Sequence, residues 1–246
     1  MDLSPVHLIT VGVTAAAIAA LVVAARKRPG PWTVPVARAL AVLIVVNETS
    51  WFAWQAAHHA FTLQNDLPLH LCDVAAYISA VALWLRTPLL VELTYFWGIA
   101  GTANGVITPD IGDQFPSYLF FQYFIQHGAI PAAGLFLVVG LKIYPRAWAV
   151  PRVIALSLGL LVFDALVNLL TNGNYLFLRS VPPGPNLLTV LGPWPWYIVW
   201  GAIVAIAIFI LLDAPFRISG LGRGRSKTER YPRPASPPSL QPPPGR

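Results

Sequence analysis

Seven long runs of apolar residues follow one another along the chain, separated by short polar segments. Each run has about the 20 residues that an α-helix needs to cross the hydrocarbon core of a bilayer. The pattern predicts membrane-spanning helices at residues 6–25, 36–57, 68–85, 89–107, 118–141, 149–170 and 193–212. We therefore expect residues 1–216 to form an all-α polytopic transmembrane helix bundle with seven spans.

The composition fits a protein whose main solvent is lipid. Hydrophobic residues make up 56% of the 246 residues and charged residues only 11%, whereas soluble domains carry about 25% charged residues. The mean hydropathy is +0.63, and 9 Trp and 8 Tyr supply the rings that collect at membrane interfaces. The net charge of +6 is spread between apolar runs, which argues against a nucleic-acid-binding protein.

The positions of the Lys and Arg residues predict the orientation of the helices. Residues 1–7 contain no Lys or Arg, whereas Arg26, Lys27 and Arg28 follow the first run, which is typical of a retained anchor with its N-terminus outside. If the loops between successive spans lie alternately inside and outside, every later Lys and Arg except Arg179 falls on the cytosolic side. We thus expect a cytosolic C-terminus and a multi-pass protein of the cell membrane.

Residues 217–246 differ in composition from the rest of the chain. They are basic, rich in Pro and almost free of aliphatic side chains. Such a segment buries too little apolar surface to offset the entropy lost on folding. We interpret it as a disordered cytosolic tail, whose positive charge follows the topology rule and also suits anionic lipid head groups.

Polar side chains interrupt the apolar runs, mostly in the half of each predicted span nearer the outside. They are Glu48, His70, Cys72, Asp73, Asn104, His127, Asp164 and Asn168. Such groups are costly in hydrocarbon, so they face the bundle interior and often mark a site. Together they predict a cavity open to the outer leaflet, although each alone would equally suit a hydrogen bond between helices. Glu92 lies near the cytosolic end of its span, and we expect it to meet Arg86 or to reach the interface.

Cys72 and His127 are the candidates for a nucleophile and its base. Cys72 is the only cysteine, which excludes an internal disulfide and leaves a free thiol. The helix dipole favours its thiolate modestly, and His127 arrives from another helix at a comparable depth. His70 lies two residues from Cys72 and points to another side of the helix, so we expect it to pair with Asp73.

The same residues allow other interpretations. A buried cysteine often serves as a small apolar side chain. Histidines and carboxylates suit zinc, but three well-spaced histidines are lacking, and we predict no metal and no cofactor. Asn174 is either a donor to the cavity or the cap of a turn. Asp164 or Glu48 is expected to hold the His127 ring in its useful tautomer.

Several segments together resemble the YwaF-like family of bacterial integral membrane proteins. They are LPLHLCD at 67–73, YFWGIAG at 95–101, TPD at 108–110, FFQYFIQHG at 120–128, NYLFL at 174–178 and LGPWPWY at 191–197. The resemblance implies kinship with a mammalian membrane acyltransferase of the TMEM class, which uses a cysteine to move a polyunsaturated acyl chain onto lyso ether phospholipids. By that resemblance Cys72 would form a thioester while His127 carries the proton.

The sequence thus supports two functions. The first is a lipid acyltransferase or lipid-ester hydrolase acting on phospholipid or lysophospholipid, with Cys72 and His127 in the working roles and the other polar residues supporting them. The second is a non-enzymatic transporter or small-molecule receptor, in which the cavity binds a solute or relays protons. In both, the partners are membrane lipids or solutes and not nucleic acid.

Overall fold

The computed structural model describes residues 4–58, 60–109, 114–182 and 186–221. The α-helices are α1 (Pro5–Lys27), α2 (Thr33–Ala57), α3 (Leu71–Leu85), α4 (Pro88–Trp97), α5 (Ala103–Ile107), α6 (Tyr118–Leu135), α7 (Ala149–Thr171), α8 (Leu187–Val190) and α9 (Trp196–Ile218). The π-helical segments Gly98–Thr102 and Phe136–Gly140 continue α4 and α6, and a 3-10 turn, Tyr175–Phe177, follows α7. The described residues contain no strand, so the expected all-α class is confirmed.

Five helices in the described ranges are long and apolar enough to cross a membrane. They are Pro5–Lys27, Thr33–Ala57, Tyr118–Gly140, Ala149–Thr171 and Trp196–Ile218. α3 is apolar but has only 15 residues, fewer than the roughly 20 that a span usually needs. The predicted fourth span corresponds to α4, the π-helical segment and α5 in one unbroken helical stretch. Length and composition thus establish five candidate spans, and the seven-span topology with its orientation stays a prediction.

Local sequence explains where helices begin and end. The Ser4 hydroxyl accepts a hydrogen bond from the His7 N–H at 3.2 Å, and Pro5 takes the first position of α1. α3 ends at Leu85, and the next residue, Arg86, adopts a left-handed backbone with φ of 55°. Pro88 then begins α4, so the chain reverses direction within a few residues.

α6 is the central helix of the bundle. In an apolar 18-residue stretch of the helical segment Tyr118–Gly140, 78% of the residues are buried. Only 11% are buried in the corresponding stretches of α1 and α9, which therefore form part of the outer wall. Glycine lets α4 approach α6, because a Cβ at Gly134 would lie 2.9 Å from the Thr94 carbonyl oxygen and from the Tyr95 Cα. Small residues at helix crossings are typical of membrane bundles, where close packing replaces the hydrophobic effect as the force between helices.

One end of the bundle, which we call the basic end, is held by ion pairs. Glu92 on α4 is 1% exposed and accepts hydrogen bonds from Arg146 Nε at 2.9 Å and Arg152 Nη2 at 3.0 Å. Arg217 on α9 pairs with Asp213 at 2.8 Å and donates to the Arg146 carbonyl at 2.8 Å. The network ties α4, α7 and α9 to the segment between α6 and α7.

Two expectations about the basic end are corrected. Glu92 binds Arg146 and Arg152 instead of Arg86, because the segment before α7 brings those cations onto the buried carboxylate. α9 runs to Ile218, past the predicted start of the tail at residue 217. Residues 222–246, which make up most of the predicted tail, and Asp110 of the TPD segment lie outside the described residues.

Candidate functional site

The opposite end of the bundle, which we call the polar end, collects polar side chains from α2, α3, α6 and α7. They are Glu48, Asp73, Gln126, Asp164 and Asn168, of which all but Asp73 are buried. Polar groups removed from water need hydrogen-bond partners, and in a membrane bundle they commonly mark a site. Their contacts therefore define the candidate site.

Gln126 joins two carboxyl groups from different helices. Its Nε2 lies 2.5 Å from Glu48 Oε2 and 3.4 Å from Asp73 Oδ1. Glu48 Oε1 is buried and has no hydrogen-bond partner among the described residues. Three helices thus meet at one amide nitrogen, and one carboxyl oxygen stays able to accept a further hydrogen bond.

Gln126 was not among the residues predicted from the sequence, because a neutral amide does not stand out as an ionisable group does. A usable signal was present. Gln122 and Gln126 are four residues apart and share one face of α6, and the Gln122 amide donates to Gln126 Oε1 at 3.4 Å. Two amides on one face of an apolar helix indicate a polar surface inside the bundle.

Cys72 lies in the first turn of α3. The helix begins at Leu71 and not at the predicted residue 68, because His70 takes an extended backbone as the N-cap. Cys72 is therefore the second helical residue, close to the backbone N–H groups at the positive end of the helix dipole. Its thiol is free and half-buried. Asp73 follows directly, and a negative charge on its carboxyl group would oppose a thiolate.

The predicted pair of His70 and Asp73 forms through the backbone. Asp73 Oδ2 accepts a hydrogen bond from the His70 backbone N–H at 3.2 Å. The His70 ring instead packs beside Tyr175 and Phe177, with centroid distances of 5.3 and 5.4 Å. His70 thus caps α3 and contacts the turn after α7, while Asp73 faces Gln126.

His127 is positioned by its own helix and by α5. Its Nδ1 lies 2.9 Å from the Tyr123 carbonyl oxygen, so in the neutral ring Nδ1 carries the proton and Nε2 is the basic nitrogen. The ring stacks on Tyr123 at a centroid distance of 4.0 Å. A Cβ at Gly105 would lie 2.8 Å from Nε2, so only glycine leaves room for the ring there. Tyr123 therefore orients His127, in place of the predicted Asp164 or Glu48.

Cys72 on α3 and His127 on α6 are not directly joined. Among the described residues no hydrogen bond links the thiol to the ring. Their chain neighbours Asp73 and Gln126 are in contact at 3.4 Å. In the described segments no three His, Cys, Asp or Glu side chains form a group able to hold a metal ion.

Hydrogen bonds of Tyr175 connect the turn after α7 to the segment before α3. The Asn168 side chain donates to the Tyr175 carbonyl at 3.0 Å and accepts from its N–H at 2.7 Å. The fully buried Tyr175 side chain accepts from the Leu67 N–H at 3.0 Å and donates to the Leu63 carbonyl at 2.8 Å. This turn therefore closes the polar end from the side of α7.

Replacing Tyr175 with Phe is expected to lower the free energy of unfolding by about 1–3 kcal/mol, because Leu67 and Leu63 lose a common partner. Thermal unfolding in detergent measures the change. The matched control is Tyr118→Phe, whose exposed hydroxyl contacts Ser50 and whose expected effect is within about 0.5 kcal/mol. Equal effects of the two variants would speak against Tyr175 as the tie between α7 and α3.

The remaining predicted residues have different surroundings. Asp164 is fully buried one turn before Asn168, and neither of its carboxyl oxygens has a hydrogen-bond partner within the described ranges. Asn104 is exposed. Asn174 caps its own loop, because its side chain donates to the Ser180 carbonyl at 2.9 Å and accepts from the Ser180 N–H at 3.1 Å. Of the two interpretations of Asn174, the structure supports the cap.

Replacing Gly105 with Ala is expected to destabilise the protein by about 1–3 kcal/mol, because the new methyl group collides with the His127 ring. Gly159→Ala on α7 is the control, since a Cβ there meets nothing within 4 Å and alanine favours a helix by about 1 kcal/mol. Thermal unfolding should move in opposite directions for the two variants. A stabilising Gly105→Ala would contradict the tight contact between α5 and His127.

Five apolar helices long enough to cross a bilayer, with buried polar side chains at the ends of the bundle, define an α-helical integral membrane protein. More particularly, the chain belongs to the TMEM164 family, whose family model matches residues 3–213. A relative from Treponema pallidum (strain Nichols), described as an uncharacterized protein, is 28% identical over 165 residues, which cover 66% of this chain and 67% of the relative. No solved structure matches the chain. The kinship with YwaF-like proteins stays a prediction.

Proposed function

We propose that this protein transfers or hydrolyses acyl chains of membrane phospholipids at the polar end, with Cys72 as the nucleophile. The proposal is carried by a free, half-buried thiol in the first turn of α3 within an integral membrane protein. A cysteine thiol can carry an acyl group as a thioester when a base takes its proton. The resemblance to the YwaF-like family supports the same class of reaction.

In the first half-reaction, Cys72 Sγ attacks the carbonyl carbon of an acyl ester. The thiol proton passes to His127 Nε2, which is the basic nitrogen because Nδ1 donates to the Tyr123 carbonyl. The ester C–O bond then breaks, and the proton moves to the departing lysophospholipid oxygen. The acyl chain is left on the sulfur as a thioester.

In the second half-reaction, a hydroxyl group of a lysophospholipid or of water attacks the thioester. His127 takes the hydroxyl proton and returns it to Sγ as the C–S bond breaks. A lysophospholipid acceptor yields a remodelled phospholipid, and water yields a free fatty acid. The acceptor therefore decides whether the enzyme is a transferase or a hydrolase.

Gln126, Asp73 and Glu48 are positioning residues in this proposal. Asp73 follows Cys72 and Gln126 precedes His127, so their contact at 3.4 Å ties α3 to α6 beside the two proposed catalytic groups. Glu48 holds Gln126 in place from α2, because its Oε2 accepts a hydrogen bond from Gln126 Nε2 at 2.5 Å. Such preorganised polar groups lower the barrier by orienting the reactants.

Acyl transfer in reconstituted vesicles tests the proposal. The full chain is placed in vesicles with phosphatidylcholine that carries an isotope-labelled acyl chain and with a lysophospholipid acceptor. The label should move to the acceptor or appear as free fatty acid, and Cys72→Ser should abolish both. Turnover that is equal with Cys72→Ser, or absent from the unaltered protein, would refute the proposed reaction.

A non-enzymatic transporter or small-molecule receptor is the second candidate, and one observation favours it. Glu48 and Asp164 are fully buried on two different helices, and their carboxyl groups include oxygens without partners in the described part of the chain. Buried carboxyl groups in a membrane bundle are typical of proton relays and solute pathways. Solute uptake that is lost in Glu48→Gln but unchanged in Cys72→Ser would favour this function.

We also infer seven membrane crossings in the cell membrane, with the N-terminus outside and the C-terminus in the cytosol. α3 and the stretch from α4 to α5 supply the two crossings beyond the five long helices. The arginine-rich basic end then faces the cytosol, as the positive-inside rule favours. Reporter fusions between α5 and α6 and at the C-terminus should report opposite sides. The same side for both would overturn the topology.

A further inference from the structure

An apolar groove runs along the outer surface between α2 and α3, on the side of the bundle that faces lipid. Its volume is about 420 Å³, within the roughly 300–1,000 Å³ of small-ligand sites. The floor includes Ala41 and Ala80, which are 3% and 6% exposed, and larger exposed side chains such as Val45, Val81 and Trp84 form the walls. The groove exists because small residues lie at the crossing of the two helices.

A cation lies at the end of the groove nearest the basic end. Arg38 precedes Val42 by one turn of α2, and its guanidinium carbon lies 5.2 Å from the centroid of the Trp84 ring. The side chain is exposed, and none of the ion pairs among the described residues involves it. The groove therefore joins an apolar surface to a positive charge without a carboxylate partner.

The length of the groove matches one leaflet. Arg38 and Val46, which lines the far end, are eight residues apart on α2, or about 12 Å at 1.5 Å per residue. Half of the hydrocarbon core is about 15 Å thick. An acyl chain that starts at a head group beside Arg38 thus reaches the membrane midplane along the groove.

We propose that this groove binds one acyl chain of an anionic phospholipid from the leaflet at the basic end, with the phosphate on Arg38. The planar guanidinium offers paired N–H donors that fit phosphate oxygens. Trp84 holds the guanidinium in place through its ring face. A second copy of the chain suits the groove less well, because in a two-fold dimer across it the two Arg38 side chains would face each other.

Photo-crosslinking tests the charge requirement with the full chain in lipid nanodiscs. The probes are phosphatidylglycerol and phosphatidylcholine with the same photoactivatable acyl chain. The phosphatidylglycerol probe should label residues 38–46 and 80–85 more strongly than the phosphatidylcholine probe. In Arg38→Gln that preference should fall about fivefold, because one interfacial arginine contributes about 1 kcal/mol to the attraction of anionic lipid. Arg28 is another exposed cation at the basic end, and Arg28→Gln should leave the preference for phosphatidylglycerol unchanged.

A second pair of variants tests the shape of the groove. Val45→Trp fills it from a position that is 38% exposed, so labelling by both probes should fall while the protein stays folded. Leu166→Trp, on the exposed face of α7, is the matched control and should not change labelling by either probe. Undiminished preference in Arg38→Gln would overturn the proposal, as would a photo-crosslinker at Val81 that captures a second copy of the chain and not lipid.

Discussion

Exchange of His127 for Gln is expected to slow acyl transfer by about 10²–10⁴-fold, the usual contribution of a positioned general acid and base. The amide fills the space between Tyr123 and Gly105 that the ring now occupies. It cannot take the thiol proton, because a neutral amide has no basic nitrogen. The rate of label transfer from phosphatidylcholine to the lysophospholipid acceptor in vesicles measures the loss.

His7→Gln is the matched control for His127→Gln. His7 is buried to a similar degree, with 5% exposure against 8% for His127, and its Nε2 lies 2.9 Å from the Val106 carbonyl oxygen. His7 lies on α1 and has no part in the proposed chemistry, so the rate of acyl transfer in His7→Gln should change less than about twofold. Equal losses in the two variants would show that His127 only holds the bundle together.

Removing both arginines that bind Glu92 is expected to destabilise the protein by about 3 kcal/mol. The double variant Arg146→Met with Arg152→Met leaves a carboxylate that is 1% exposed without either of its ion-pair partners. Breaking a buried ion pair in this way costs about 3–5 kcal/mol. The lower figure applies because the arginine side chains are 47% and 35% exposed, so water screens part of the attraction.

A third substitution separates charge from packing at the basic end. Adding Glu92→Gln to the double variant should restore most of the lost stability, because the buried group is then neutral. Arg38→Met, which removes a cation outside the network, should have an effect of about 0.5 kcal/mol or less. Thermal unfolding in detergent compares the variants. A triple variant no more stable than the double variant would contradict the electrostatic explanation.

Hydropathy predicts helices well where an apolar run is continuous. The runs predicted at 6–25 and 149–170 agree within a few residues with Pro5–Lys27 and Ala149–Thr171. The prediction fails by three residues at the start of α3, where the backbone of His70 and not the hydropathy determines the first turn. Helix ends depend on capping geometry, which hydropathy does not contain.

The contacts of the site could not be predicted because they depend on how each helix is rotated. The π-helical segment Gly98–Thr102 follows α4 and precedes Asn104. A π-turn adds a residue and so rotates the next helical segment by about 100°. With that rotation, Asn104 is exposed and Gly105 faces His127. Polar residues in an apolar sequence show which side chains belong to the polar end. A local change in helix geometry then decides which of these side chains are in contact.

Mass spectrometry of a trapped acyl-enzyme tests the thiol most directly. The protein is incubated with the labelled phospholipid donor without acceptor, quenched in acid and digested. The peptide with Cys72 should carry the labelled acyl group, which neutral hydroxylamine removes from a thioester, and the Cys72→Ser protein should carry none there. Continued turnover with an unmodified Cys72 peptide, in a sample whose acyl groups lie on another residue, would contradict the central claim.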